Sequence, residues 1–204
     1  DKKAIEGVSS ENRNSVRRLV GTNGILEQCQ KCDRNPSYIW GVLRALPGVQ
    51  RGNKNKLFLG NVKYFAYGSN MHKEDLRRWC KRRGYSPVTF LSEEVAVLKD
   101  WKLIFNYYSA SRGGGAANIV RSVGDEVWGL LVELSVEDYE KIYKKEGAPR
   151  CYKEIIVSVV TKDGKVIDDV RTFRALKERE SRKHVAPTKE YLKLLIESAK
   201  NYGF

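Results

Sequence analysis

A chain of 204 residues with 41% hydrophobic side chains has an ordinary globular composition, enough for one domain with an appendage or for two small domains. Its formal charge of +13 favours anionic partners, whether nucleic acid, an anionic membrane surface or small acidic substrates, although a lysine-rich thermophilic surface produces part of such an excess without any function. Four cysteines, Cys29, Cys32, Cys80 and Cys151, are too few for a disulfide scaffold of this length, and no apolar run approaches a membrane span or a signal segment. The expectation is a soluble, cytoplasmic protein with no membrane partner.

Composition divides the chain near Gly60-Asn61. Residues 1–61 hold 11 lysines and arginines against 5 acidic residues, a net +6 in under a third of the length. Val16, Leu19 and Val20 stand at helical spacing before Asn23-Gly24, and Asn35-Pro36 supplies an N-cap and first position for a helix carrying Ile39, Val42, Leu43 and Leu46. Pro47-Gly48 ends it, and Val49 to Leu59 reads as a hairpin with a basic tip. The expectation for 1–61 is a small, basic, mostly helical module that loosely resembles a winged helix. Arg17, Arg18, Arg44, Arg51, Lys54 and Lys56 beside Tyr38 and Trp40 suit phosphate contacts and base stacking, which makes nucleic acid a candidate partner. The alternative is that the aromatics are core and the charges only a solubilising surface.

Beyond residue 61 strand signals crowd together. Strands are expected near Val62–Tyr67, Glu94–Leu98, Leu103–Tyr108, Ala116–Arg121, Glu126–Leu134, Tyr152–Thr161 and Val166–Ala175, with Asp163-Gly164 turning the last pair. Helices fall between them. Leu76, Trp79 and Cys80 mark one apolar stripe, Ser135-Val-Glu-Asp138 is a capping start before Tyr139, Ile142 and Tyr143, and Pro187-Thr188 opens a last helix with Tyr191, Leu194, Leu195 and Ser198 on one face.

The passage from Val62–Tyr67 into the helix at Leu76 runs through Tyr67-Gly68-Ser69-Asn70 with almost no loop. A strand turning directly into a helix leaves backbone N–H groups unpaired and aims the positive end of the dipole at whatever lies above. Gly68 permits close approach, and Ser69 and Asn70 can either cap the helix or hydrogen-bond a ligand, so the stretch can hold a carboxylate or a developing oxyanion. Helix capping alone is the commoner use of such residues.

Tyr64-Phe-Ala-Tyr-Gly-Ser-Asn-Met71 is similar to the signature of the γ-glutamylcyclotransferase-like family, and further matches follow in order. They are Gly114-Gly-Ala-Ala-Asn-Ile119, Gly124-Asp-Glu-Val-Trp-Gly129, Glu146-Gly147 after the next helix, Tyr152 at a strand start and Pro187-Thr-Lys-Glu-Tyr191. The resemblance covers roughly residues 62–201, and an ordered set is far more specific than a lone motif. It implies an α+β fold, a small mixed β-barrel with flanking helices over residues 62–204, preceded by the basic module. It also implies an enzyme that cyclises a γ-glutamyl group to 5-oxoproline and releases an amine, with Tyr67, Gly68, Ser69 and Asn70 holding the γ-glutamyl part and Glu146 as acid/base. Tyr152 and Tyr191 match tyrosines near the family's site, and either can equally be a core aromatic with its hydroxyl toward solvent. The reaction requires neither metal nor cofactor. The sequence does not name the leaving amine, and a non-catalytic module binding a small anion or peptide terminus is the alternative.

Local physics bears on Glu146 independently. Gly147 is a natural residue to follow a helix end, and a carboxylate in the last turn faces the negative end of the dipole, which raises its pKa. Lys144 and Lys145 oppose that if they point inward, and a solvated glutamate is the plain alternative. Other candidates are weaker. Cys29-Gln-Lys-Cys32 has half the spacing of a zinc site, but Cys80, Cys151, His72 and His184 supply no close second half, so no metal is expected. Arg112-Gly-Gly-Gly115 lacks the Gly-Lys-Ser/Thr of a phosphate loop and reads as a tight turn letting substrate approach the backbone, while Lys73, Arg77, Arg78, Lys81, Arg82 and Arg83 form an ordinary solvated helix face.

Overall fold

The protein is described from a computed structural model, which places residues 49–51 and 57–204. The helices expected before residue 49, the Cys29/Cys32 pair and the basic face with Tyr38 and Trp40 lie outside the described residues. The chain divides into two compact units, 1–61 and 62–204. In the first, β1 (Val49–Arg51) pairs antiparallel with β2 (Leu57–Leu59), Val49 opposite Leu59.

The second unit is a closed five-stranded barrel in the order β3-β5-β4-β6-β7. Its strands are β3 (Val62–Ala66), β4 (Ser92–Ser109), β5 (Gly114–Leu134), β6 (Tyr152–Thr161) and β7 (Val166–Ala175). Neighbours are antiparallel except β3 and β7, whose parallel contact through Tyr64 and Arg171 closes the barrel and makes it mixed. Closure leaves no free sheet edge. Phe65, Leu98, Ile119, Val127, Val159 and Val170 are among its buried apolar side chains, joined by Tyr191, Leu194 and Leu195 of the last helix.

Four of the expected strands are in fact two. Glu94–Leu98 and Leu103–Tyr108 fuse into β4, and Ala116–Arg121 and Glu126–Leu134 fuse into β5. The polar interruptions that looked like loops are an irregularity inside one long hairpin. Lys99 pairs with Glu126 and Trp101 with Arg121, so Asp100 alone faces Ser122, Val123, Gly124 and Asp125. Asp100 and Gly124 both adopt positive φ, 62° and 83°, and the Gly124 amide donates to Asp100 Oδ1 at 3.0 Å. The strands bend there without ending, as bulges allow.

Among the described residues three helices flank the barrel: α1 (Lys73–Arg82), α2 (Val136–Lys145) and α3 (Lys189–Tyr202). Ser135 caps α2 by accepting from the Asp138 amide, and Thr188 caps α3 by accepting from Tyr191. The apolar stripe expected on α3, Tyr191, Leu194, Leu195 and Ser198, is its buried face. On α2, Tyr139 stacks on Phe173 with ring centroids 6.1 Å apart and meets Tyr64 edge-on at 6.2 Å, fixing that helix over β3 and β7. No described helix is long and apolar enough to cross a membrane.

The glycine-rich stretch serves packing of the chain on itself, which corrects the expectation of a substrate approach. The Gly115 amide donates to Ala186 O at 2.9 Å, and a Cβ on Gly115 would stand 1.9 Å from Val185 O. That collision is with backbone, so Gly115→Ala is expected to cost about 1–3 kcal/mol, read as a lowered urea midpoint, whereas alanine at the open turn residue Gly164 acts only through its φ of 83°.

Candidate functional site

The end of β3, the turn after it, the end of α2, the starts of β5 and β6 and the first turn of α3 surround one cavity of about 1080 Å³. Tyr67, Gly68, Ser69, Asn70, Glu146, Tyr152 and Tyr191 all line it, together with Tyr64, Asp75, Arg112 and Lys145, which were not among the expected site residues.

The strand does not enter α1 directly. Ser69–Met71 form a 3-10 turn, and α1 begins only at Lys73 with His72 as its cap, Nδ1 accepting from the Asp75 amide at 3.2 Å. Because His72 caps the helix, Ser69 and Asn70 are not spent on that task. The first bonds of the turn are donated by Met71 and His72 to Gly68 O and Ser69 O. The amides of Gly68 and Ser69 therefore make no bond within the turn.

Asn70 is the hub, 2% exposed. Its Nδ2 donates to Glu146 Oε1 at 2.5 Å and to the Tyr64 hydroxyl at 2.9 Å, while its Oδ1 accepts from Lys145 Nζ at 2.7 Å. Three partners fix the amide's orientation and so hold Glu146 in one place. Glu146 itself closes α2, with Gly147 following at φ 64°.

Lys145 points toward Asp75, while the Lys144 ammonium lies over the Tyr85 ring at 5.0 Å. The ammonium of Lys145 also reaches Ser69 Oγ at 3.1 Å and Asp75 Oδ2 at 3.4 Å. Asp75 in turn takes both arms of Arg112, at 3.0 and 2.7 Å, and the guanidinium lies 5.0 Å from the centre of the Tyr191 ring. Burial pushes the Asp75 carboxyl up, but Arg112 and Lys145 outweigh it and hold it below its usual range. Burial lowers the Lys145 pKa against the pull of Asp75 and Glu146.

Burial likewise raises Glu146 above 4.5, opposed by the Lys145 charge, the Asn70 bond and Arg112. A carboxyl shifted this way changes protonation nearer neutral pH, where it can both accept and return a proton. If Glu146 must begin ionised, kcat/KM is expected to fall on the acid side with an apparent pKa above 4.5, measured as a pH–rate profile.

The tyrosines are tied to the backbone. Tyr67 donates to Phe173 O at 2.6 Å, Tyr152 donates to Ala117 O at 2.8 Å, and the Tyr191 hydroxyl accepts from the Ala117 amide at 3.3 Å. Burial holds Tyr64, Tyr67 and Tyr152 well above the usual phenol range and pushes Tyr191 to about 12. All four are neutral at physiological pH, shaping the cavity and presenting hydroxyls without charge.

Residues 126–204 match the model of the AIG2-like family. Over 145 residues the chain is 34% identical to a gamma-glutamylcyclotransferase of Bos taurus, covering 69% of this chain and 71% of the bovine one. The gamma-glutamylcyclotransferase of Homo sapiens is 33% identical over the same length and shares. Among solved structures, a gamma-glutamyl cyclotransferase superposes with a TM-score of 0.59 at 30% identity, covering 71% of this chain and 81% of that one.

Proposed function

The chain belongs to the γ-glutamylcyclotransferase family and is an enzyme of it, and from that premise we propose that it closes a γ-glutamyl group into 5-oxoproline with Glu146 as the acid/base. The observation that carries the reading is the Asn70–Glu146 bond of 2.5 Å inside a cavity lined by the whole Tyr67–Asn70 turn.

In this reaction the α-nitrogen of the substrate attacks its own γ-carbonyl carbon. A new C–N bond closes the five-membered lactam as the γ-amide C–N bond breaks. The attacking ammonium loses two protons in becoming the lactam N–H, and the departing nitrogen gains two in becoming an ammonium, so no net proton is consumed. Glu146 is placed to relay them, since a carboxyl raised by burial both takes and gives a proton near neutrality. The reaction needs an oxyanion cradle, and the amides of Gly68 and Ser69, uncommitted within the turn, suit it. Ser69, Asn70, Tyr152 and Tyr191 bind and fold the substrate so that nitrogen and carbonyl meet, the contribution that intramolecular reactions need most. Only these side chains and the two backbone amides enter the scheme.

The test is incubation with a panel of γ-glutamyl amino acids and amines, followed by mass spectrometry for 5-oxoproline and the freed amine. Release of both in equal amounts is the expected result. Saturable binding without lactam between about pH 6 and 9, where a raised carboxyl should work, would instead identify a binding module.

A further inference from the structure

The cavity is larger than the group that reacts in it. The γ-glutamyl end belongs at the Asn70–Glu146 floor, and the remainder of the 1080 Å³ must receive the departing amine. Away from that floor the wall turns basic. The C-terminal half of α1 and its cap contribute Arg78, Trp79, Arg82 and Arg83, and α2 contributes Lys144.

Acidic residues of the same cavity do not neutralise this wall. Asp75 is taken by Arg112 and Lys145, Glu146 is bound by Asn70, and Glu197 sits 3.7 Å from Lys193 and 3.8 Å from His72. Glu190 lines the cavity from the first turn of α3 and makes no ion pair with these cations. Glu74 gives its short contact, 2.8 Å, to Arg77 and stands 4.0 Å from Arg78. Arg82 and Arg83 make no ion pair among the described residues. Dipole complementarity explains cations in the last turn of α1, but not their convergence with Lys144 of another helix on one cavity. Trp79, whose ring centroid lies 5.7 Å from that of Tyr85, adds an apolar surface to the same wall.

We infer that this wall is a leaving-group subsite and that it selects γ-glutamyl compounds whose departing amine is acidic, an aspartate, a glutamate or a further γ-glutamyl unit. The inference rests on the cyclotransferase reading above. The methylenes of such a group pack on Trp79 while its extra carboxylate meets the guanidinium groups at the mouth. A cationic leaving amine, such as an aliphatic diamine with its distal ammonium, meets repulsion there.

Each exposed pair is worth only a few-fold, so three or four cations predict about a tenfold preference, carried by KM. The experiment measures kcat/KM for γ-glutamyl-glutamate and γ-glutamyl-glutamine, its isostere with a neutral side chain, with γ-glutamyl-1,4-diaminobutane as the cationic arm, at about 50 and 500 mM salt. The expected result is that γ-glutamyl-glutamate leads its isostere about tenfold at low salt and that the ratio falls toward one at high salt. In Arg82→Gln/Arg83→Gln protein the ratio falls at low salt also. Equal turnover of the three compounds at low salt, or a ratio indifferent to both salt and the double substitution, overturns the proposal and leaves the catalytic reading intact. No lactam from any of the three overturns both.

Discussion

Replacing Glu146 with glutamine is expected to lower kcat by about 10²–10⁴-fold, the usual weight of a general acid/base, with a far smaller change in KM. Glutamine can still accept the Asn70 hydrogen bond now 2.5 Å long, so the geometry persists while the proton relay is lost. The same substitution is expected to raise thermal stability at neutral pH. The folded carboxyl holds its proton more tightly than the unfolded one, because burial opposes the charge. Below pH 4.5 both states are protonated and wild type suffers no penalty. As pH rises through 4.5 toward the raised folded value, the unfolded state releases its proton first and the native state loses relative stability. The gain in Tm for the glutamine variant should therefore be present at pH 7 and absent near pH 4. A glutamate serving only the fold would show the reverse, a loss of stability with turnover preserved.

Asp75→Asn is expected to cost about 3 kcal/mol of folding free energy, the lower end for breaking a buried ion pair from one side. The lower end applies because Arg112 keeps 26% of its side chain exposed, against 10% for Asp75 and 7% for Lys145. Removal of the carboxylate leaves a guanidinium and an ammonium facing each other with no anion between them. Lys145 then turns its full attraction on Glu146, which draws that carboxyl's pKa down and moves the acid limb of the rate profile to lower pH. Urea unfolding of the single variants and of Asp75→Asn/Arg112→Met measures the coupling. The double variant should lose less than the sum of the two singles, since the second change removes one of the stranded cations. Strict additivity would show that Arg112 and Asp75 are neighbours without consequence.

Local rules made much of the fold legible. Ser135 and Thr188 cap the helices they were expected to start, Gly147 takes the left-handed turn expected after Glu146, and the stripe Tyr191, Leu194, Leu195 and Ser198 is buried. The barrel itself followed from the resemblance, because strand periodicity does not state which strands are neighbours. Periodicity also broke β4 and β5 at polar residues, where Asp100 and Gly124 bend the pair without ending it. In the site, the Tyr67–Asn70 turn and Glu146 were visible as a motif. The cluster joining Asp75, Arg112 and Lys145 was not, since Asp75 and Arg112 are 37 positions apart and neither lies in an informative spacing. Lys145 offered one signal: it immediately precedes Glu146 at a helix end and had to point either inward or away. The capping role of His72 was hidden because Ser69 and Asn70 are themselves preferred caps; its effect is to leave both side chains to the cavity.

In the proposed reaction the substrate's own nitrogen, not water, displaces the departing amine. Turnover of a γ-glutamyl amino acid labelled with ¹⁵N at its α-nitrogen, in H₂¹⁸O, separates the two. The predicted product is 5-oxoproline that keeps the ¹⁵N in its ring and carries no ¹⁸O, released together with one equivalent of free amine. Glutamate bearing ¹⁸O in its γ-carboxyl would show hydrolysis and rule out intramolecular cyclisation, as would unchanged substrate.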